Sequence, residues 1–328
     1  MKVLYVAKKI PRPDVYKISN NLLRMRGMPC TLLHARSHQE AVRFVPEADA
    51  ICLSTFSTNR WVPGNSPIYK ASVPVARFYL DVWKIPDLKK FPPGYRNSHG
   101  TLISDFFRKY DIHISVCKEL LTRHCPEWID SMFWSPHCID VQDYNVEKDI
   151  DVLFWGRADG AGGYKTRAKV RALLEHYIVP GSCKIRRELR VCTMSLGKQN
   201  YRCVIVDPGS KLYYGPKLHK LISRTKVCCT APPDCAAPVG KYFENAACGT
   251  VSLTTDFTDR GELGFEHGKH LWVAGLNRYM RSLDRLLKRP KLIKEMSKNA
   301  KELIRTRHTP AVRGKELYEF LRGETGVT

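Results

Sequence analysis

Acidic residues are scarce in this sequence: 32 Asp and Glu stand against 54 Lys and Arg over 328 residues, a formal net charge of +22. No run approaches the roughly 18–20 apolar residues of a membrane span. The opening stretch Met1–Ala7 is apolar but short and has no small-residue cleavage site, so it reads as a first buried strand and not a secretion signal. The twelve cysteines contain no C-x-x-C pair. Neither a zinc centre nor a disulfide framework is therefore expected, and reduced thiols point to a cytoplasmic location. What the chain does have is 43% hydrophobic and 10% aromatic residues, enough for a large core, which excludes a disordered basic protein. The length suits two domains.

The positive charge is unevenly placed. Residues 1–148 carry 21 basic and 14 acidic residues, and residues 149–328 carry 33 and 18. The stretch 184–226 holds 11 basic against two acidic, and 278–315 holds 13 against three. Solvated helix faces explain many single lysines. The sum favours a polyanionic partner, either nucleic acid or an anionic membrane surface. Tyr201, Tyr213, Tyr214 and Tyr279 interleave with these cations and suit phosphate and base contact.

Short apolar runs alternate with helical spacing through both halves, the pattern of βαβ units and parallel sheets. Strands are expected at Lys2–Ala7, Pro29–His34, Ala48–Ser54, Val73–Leu80, Ile112–Cys117 and Met132–Ser135, with helices over Tyr16–Arg26 and from Lys118. The apolar signal drops over Asp140–Asp151, so the domains are expected at 1–148 and 149–328. In the second half, strands are expected at Val152–Trp155, Val204–Val206, Val227–Thr230 and Val251–Thr254. Helices are expected at Arg167–His176, Leu218–Arg224, Tyr242–Cys248 and over 276–306. Pro and Gly cluster at 61–67 and 86–100, as in loops at strand ends, where open α/β sheets bind ligands.

The most informative stretch is Val239–Val251 (VGKYFENAACGTV): a Gly turn, two turns of helix, a Gly stop and a buried strand. A helix N-terminus offers N–H groups to a phosphate, and Glu244 early in the helix could accept both hydroxyls of a ribose. A Glu that merely caps the helix fits the same spacing. This stretch resembles the K-x-F/L-E-x-x-A-C-G-x-x-V signature of GT-B glycosyltransferases, in particular the "glycosyl transferases group 1" families and their spore-coat-type branch. Three further stretches match in order. Val152–Arg157 with Lys165 resembles the G-R…K phosphate clamp. Ser135–Asp140 with Tyr144 resembles the hinge that ends the first domain. Thr254–Trp272 resembles the T-D…E-L…G-x-x-x-L segment after the Glu helix.

The resemblance implies an α/β protein of GT-B fold, with two Rossmann-like doubly wound domains facing a cleft: an acceptor domain, then a nucleotide-sugar domain. It implies no prosthetic group and a nucleotide-diphosphate sugar donor, a UDP-sugar ahead of a GDP-sugar. Gly156, Arg157, Lys165, Lys241, Tyr242 and Glu244 would hold the donor. Arg157 and Lys165 would also stabilise charge growing on the leaving phosphate, so that no metal is expected. Many relatives carry a second Glu eight positions earlier, where this chain has Ala236, with Asp234 as a substitute. Asp81, after the strand ending at Leu80, is the candidate general base, and His99 a second. The charge points to nucleic acid as acceptor, most simply a hydroxylated base in DNA flipped towards the donor, as in virus-encoded DNA glucosyltransferases; the host cytoplasm would then be the location. The loops 8–13 and 86–100 are the expected acceptor-side elements. Two alternatives stand beside this: a glycosyltransferase docked on an anionic membrane with a lipid-linked or polysaccharide acceptor, and a non-catalytic nucleic-acid-binding protein on the same scaffold. The oligomeric state has no sequence signal.

Overall fold

The structure, a computed structural model, describes residues 1–7, 19–54, 66–79, 110–158, 163–186, 189–206 and 215–326. The chain forms two compact units. One comprises Met1–Cys138 and Pro310–Thr328, the other Ile139–Thr309. The first crossing, at 138/139, thus falls ten residues before the expected boundary at 148/149, inside the hinge-like stretch Ser135–Asp140, and the chain crosses a second time at 309/310. Backbone bonding accounts for the first crossing. Arg24 Nη2 donates to the carbonyls of Ser135 (3.0 Å) and Pro136, holding them in the first unit. Ile139 N–H donates to His308 O (2.9 Å), starting the second.

The first unit contains strands β1 (Lys2–Val6), β2 (Thr31–Ala35), β3 (Ala50–Leu53), β4 (Val75–Tyr79), β5 (Ile112–Ser115) and β6 (Met132–Trp134). Its helices are α1 (Ser19–Arg26), α2 (His38–Phe44) and α3 (Lys118–His124). The sheet order is β2-β1-β3-β4-β5-β6, with every pairing parallel. Alternation sends Val3, Tyr5, Ala76 and Phe78 to one face and Leu4, Val6, Ile51 and Leu53 to the other, so helices cover both.

The second unit contains β7 (Ile150–Phe154), α4 (Lys165–His176), β8 (Lys184–Arg186), β9 (Leu189–Leu196), β10 (Gln199–Val206), α5 (Pro216–Ser223), β11 (Thr225–Cys229), α6 (Gly240–Ala247), β12 (Val251–Thr254), β13 (Trp272–Val273), α7 (Tyr279–Leu287) and α8 (Pro290–Arg307). Its order is β13-β12-β11-β7-β10-β9-β8. Five strands run parallel, while β9 and β8 turn back as an antiparallel edge. Val152, Phe154, Val227 and Leu253 pack under α4, α7 and α8, and Ile150, Leu153 and Val204 pack under α5.

Several expectations change here. The hairpin β8–β9 lies where only charge was read. Its register sets Lys184 opposite Val191, so Cys183 falls opposite Cys192, and the two form a disulfide with Cα atoms 4.2 Å apart. Reduced thiols therefore describe the other ten cysteines only. The single helix expected over 276–306 is two, because Pro290 opens α8 and cannot continue α7.

A last helix, α9 (Pro310–Thr325), returns to the first unit and packs on α1. Glycine makes that packing possible. A Cβ on Gly314 would lie 2.3 Å from Gly27 C and 2.7 Å from Arg24 O, and one on Gly27 would lie 2.0 Å from Pro310 O. Leu317 and Leu321 then join the core of Val3, Tyr5 and Met25.

Candidate functional site

In an open α/β sheet, ligands sit beyond the carboxyl ends of the strands where the connections change direction. In the second unit that place lies between β7, whose chain proceeds to the β10 side, and β11, which pairs on its other edge. β7 leads into Trp155, Gly156 and Arg157, and β11 into Thr230 and Ala231. Two buried cations converge there. Arg167 is 4% exposed and Lys241 is 7% exposed.

Arg167 arrives on α4. Arg167, Val170 and Leu174 form its buried face, spaced three and four residues apart. Its Nε donates to Ala231 O (2.9 Å) and its Nη1 to Arg157 O (3.1 Å), so one guanidinium ties the two strand ends together. Among the described residues its buried Nη2 makes no hydrogen bond. Its Cζ lies 4.5 Å from the Tyr164 ring centroid. Lys241, the second residue of α6, donates from Nζ to Trp155 O and sits 4.3 Å from the indole centroid. The indole is held in turn: Trp155 Nε1 donates to Asn245 Oδ1 (3.3 Å), and Asn245 Nδ2 to Ser252 Oγ (2.9 Å). Burial, then the neighbouring Arg167, pushes the Lys241 ammonium well below its ordinary range. Burial likewise lowers Arg167.

Gly156 completes this corner. It has φ +90°, and a Cβ there would lie 2.5 Å from Lys241 Nζ, so both conformation and space call for glycine.

Two helix N-termini are present, and they differ. Asp234 caps α4 from a distant loop. Its carboxylate accepts from the N–H groups of Lys165 (3.2 Å) and Thr166 (3.1 Å), while its own N–H donates to Gly163 O (2.8 Å). Asp234 is thus committed to the helix and is not placed as a sugar-binding substitute for a missing Glu. The α6 N-terminus has no side-chain cap and no acid in its first turn. Tyr242 N–H donates to Val239 O (3.1 Å), and the amides of Gly240 and Lys241 at the positive dipole end are left without a side-chain cap. Glu244 lies in the second turn of α6 and is 3% exposed, so it is a buried carboxylate and not a solvent-facing cap. Position 236, the other departure, holds Ala in a left-handed conformation with φ 60°.

Gly156 lies against Lys241, and Glu244 follows Lys241 three residues further along α6. Arg157 and Lys165 flank the corner but are exposed. Tyr242 differs from expectation. It is 1% exposed, its hydroxyl is 3.1 Å from Thr254 Oγ1, and its ring stacks on Phe257 at 4.2 Å between centroids, so it belongs to the core. Tyr279 is fully buried, with its hydroxyl bonded to Thr230 and Leu253, and Tyr201 is buried with its hydroxyl on Gln199. Neither is available for nucleic acid. Tyr213, Tyr214, Asp81, His99 and the loops 8–13 and 86–100 lie outside the described residues.

The reading without a metal overlooks one Asp-x-Asp spacing, Asp149-Ile150-Asp151. Both carboxylates sit at the opposite, amino end of β7. Asp149 binds Arg224 and Arg202, and Asp151 binds Lys226 and the Arg202 N–H. Among the described residues no three His, Cys, Asp or Glu side chains gather as a metal group.

Similar solved structures include the HepE protein of Anabaena in complex with UDP, at TM-score 0.60 and 11% identity, covering 98% of this chain and 100% of that one. A sucrose-phosphate synthase from Thermosynechococcus elongatus matches at 0.60 and 12%, covering 100% of both chains. A glycosyltransferase from Rickettsia africae matches at 0.63 and 8%, covering 100% of this chain and 99% of that one. The fold is GT-B. The family model described as "Glycosyl transferase-like" matches residues 188–319, a span that includes Lys241 and Glu244 and begins after Arg167. No curated protein sequence matches the chain. Among the described residues no helix is long and apolar enough to cross a membrane.

Proposed function

We propose that this chain transfers a sugar from a UDP-sugar to an acceptor hydroxyl, and that the GT-B corner at β7, β11 and α6 takes the donor diphosphate. One observation carries the reading. Arg167 and Lys241 are two adjacent buried cations whose hydrogen bonds go to backbone carbonyls and not to carboxylates. Such a pair is costly unless an anion neutralises it, and a diphosphate beside the uncapped α6 N-terminus does so. HepE, with the same fold, is known in complex with UDP and with UDP-glucose, which supports uridine as the base.

The bond between the anomeric carbon and the diphosphate oxygen breaks, its electron pair passing to UDP. The acceptor oxygen forms the new bond and gives up its proton. Negative charge grows on the leaving phosphate, where Arg167 and Lys241 are already in place and need no reorganisation. Exposed Arg157 and Lys165 would close over the phosphate from outside, Glu244 would take the ribose, and Asp81 is the residue to test for the acceptor proton. In this scheme fixed cations do the work of a metal.

For the acceptor we propose a hydroxylated base in DNA. The net charge of +22 supports it, because a small neutral acceptor has no use for such a field. The test has two stages. UDP and UDP-sugars should raise the melting temperature where GDP does so less. Transfer of labelled sugar should then be seen to hydroxymethylated duplex DNA and not to lipid-linked or polysaccharide acceptors. Absence of any nucleotide effect would end the donor reading, and transfer to a lipid acceptor would end the DNA reading.

A further inference from the structure

Away from the donor corner, at the other edge of the sheet, the structure has a second concave site. β13 is the last strand, separated from β7 by β12 and β11. Beyond it lies a cavity of about 410 Å³ lined by His267, Trp272, Gly275, Arg278, Arg281 and Arg285, among others, with no acidic residue in the lining. The three arginines follow one another at spacings of three and four, from the turn Leu276–Arg278 into α7, and so share one side of the helix. All three are exposed.

Two nearby lysines are paired, Lys288 with Asp284 and Lys269 with Glu266. Among the described residues Arg278, Arg281 and Arg285 have no acidic partner. Like charges at this spacing repel, and a bound anion relieves them. The cavity also holds a flat ring. Trp272 is half-buried, with the His267 ring 4.9 Å away, centroid to centroid. Val273 N–H donates to His267 Nδ1 (2.9 Å), so in the neutral ring Nε2 carries the proton and is a donor.

Guanidinium groups in a row beside an indole in a concave site match a chain of phosphates with bases between them. We infer that the Trp272–Arg285 cavity docks a single-stranded or splayed stretch of nucleic acid, separate from the donor corner. The inference rests on the nucleic-acid reading of the acceptor and gives that acceptor a handle.

The experiment measures anisotropy of a labelled single-stranded DNA oligonucleotide across a salt series. Wild-type protein is compared with R278A/R281A/R285A and with Trp272→Leu. The wild type should bind, weakening as salt rises. The triple variant should bind at least tenfold more weakly, with a log–log salt slope shallower by about 2, since each lost single-strand phosphate contact is worth about 0.7. Trp272→Leu should weaken binding with little change of slope. Both variants should keep the wild-type melting shift with UDP, which shows that they are folded with the donor corner intact. Equal binding by the wild type and the triple variant overturns the inference while leaving the nucleic-acid reading standing. No binding by the wild type at low salt overturns both. Phosphatidylglycerol vesicles bound through these arginines in place of the oligonucleotide would assign the cavity to a membrane and overturn it as well.

Discussion

Replacing Arg167 by Met separates two roles that the structure gives the same guanidinium. As a brace, it joins the ends of β7 and β11 through hydrogen bonds of 3.1 and 2.9 Å to Arg157 O and Ala231 O. Bonds from a charged donor are worth about 1.5–3 kcal/mol each. Met leaves both carbonyls without that donor, but it also removes a desolvated cation lying beside Lys241, and replacing buried ions by apolar groups of similar volume is often neutral or better. The net loss of stability without ligand should therefore be modest, about 0–3 kcal/mol, or roughly 2–4 °C of melting temperature per kcal/mol at this size. As a phosphate ligand, Arg167 would supply one or two charge-assisted bonds from a buried fork. Losing them should cost about 2–4 kcal/mol of UDP binding, roughly 30- to 1000-fold in Kd. Arg167→Lys should recover only part, because an ammonium cannot reproduce the fork. Titration calorimetry with UDP reads the affinity, and thermal unfolding without UDP reads the brace. If Arg167→Met unfolds earlier yet binds UDP as the wild type does, the residue is a brace alone and the phosphate assignment is refuted.

The affinity for UDP should fall as pH rises above the depressed pKa of Lys241 in the free protein, and Lys241→Met should flatten that dependence. The Lys241 pKa is depressed in the free protein. A bound diphosphate raises it, so binding takes up a proton between the two values, and calorimetry in buffers of different ionisation heat measures the uptake. The same depression means that the free protein regains stability as pH climbs from the folded-state pKa towards the ordinary lysine value, the unfolded chain binding the extra proton. Glu244→Gln should weaken UDP more than uracil or inorganic diphosphate, by about 1–3 kcal/mol if the carboxylate takes the ribose hydroxyls; an equal loss for all three would remove it from the ribose. Asp234→Ala should lower stability by about 0.5–2 kcal/mol through loss of the α4 cap, with UDP affinity changed little, and a large loss of donor binding at unchanged stability would return Asp234 to the sugar site.

Much of the scaffold was legible because parallel strands buried on both faces are continuous apolar runs. Val3–Val6, Ala50–Leu53, Val152–Phe154 and Val251–Leu253 all read that way. The hairpin β8–β9 escaped because an edge strand is only partly covered. KIR and LRVCTMSL carry their cations on it, and the same residues read equally well as a basic patch. Tyr279 and Tyr201 misled for a related reason: tyrosine serves cores and interfaces alike, and only the partners of its hydroxyl decide. α9 could not be assigned to the first unit from spacing alone, since Gly27 and Gly314 are 287 positions apart and meet only in the fold. At the corner proposed for the donor, the motif points to Gly156, Lys241 and Glu244. Arg167 did leave a trace in the sequence: a cation in the apolar series Arg167, Val170, Leu174 is out of place unless it is buried for a purpose.

That trace connects to the contrast between the two helix ends. Both α4 and α6 begin beside the strand ends of the same switch point, and either could offer its first amides to a phosphate. The chain spends a carboxylate, Asp234, on α4 and leaves α6 without one. Capping α4 fixes its first turn, and Arg167 is the third residue of that helix, so Asp234 also sets where the guanidinium lies. An acid at the start of α6 would instead neutralise Lys241 and occupy the amides that a ligand needs. Asp234 is therefore placed where it orders Arg167, while the first turn of α6, where a diphosphate would bind, carries no acid and Glu244 lies one turn further along. A carboxylate introduced at the α6 start, Val239→Asp, should stabilise the free protein as a cap by about 0.5–2 kcal/mol while weakening UDP through competition for the same N–H groups. If Val239→Asp tightens UDP binding or leaves it unchanged, the diphosphate does not lie at the α6 N-terminus.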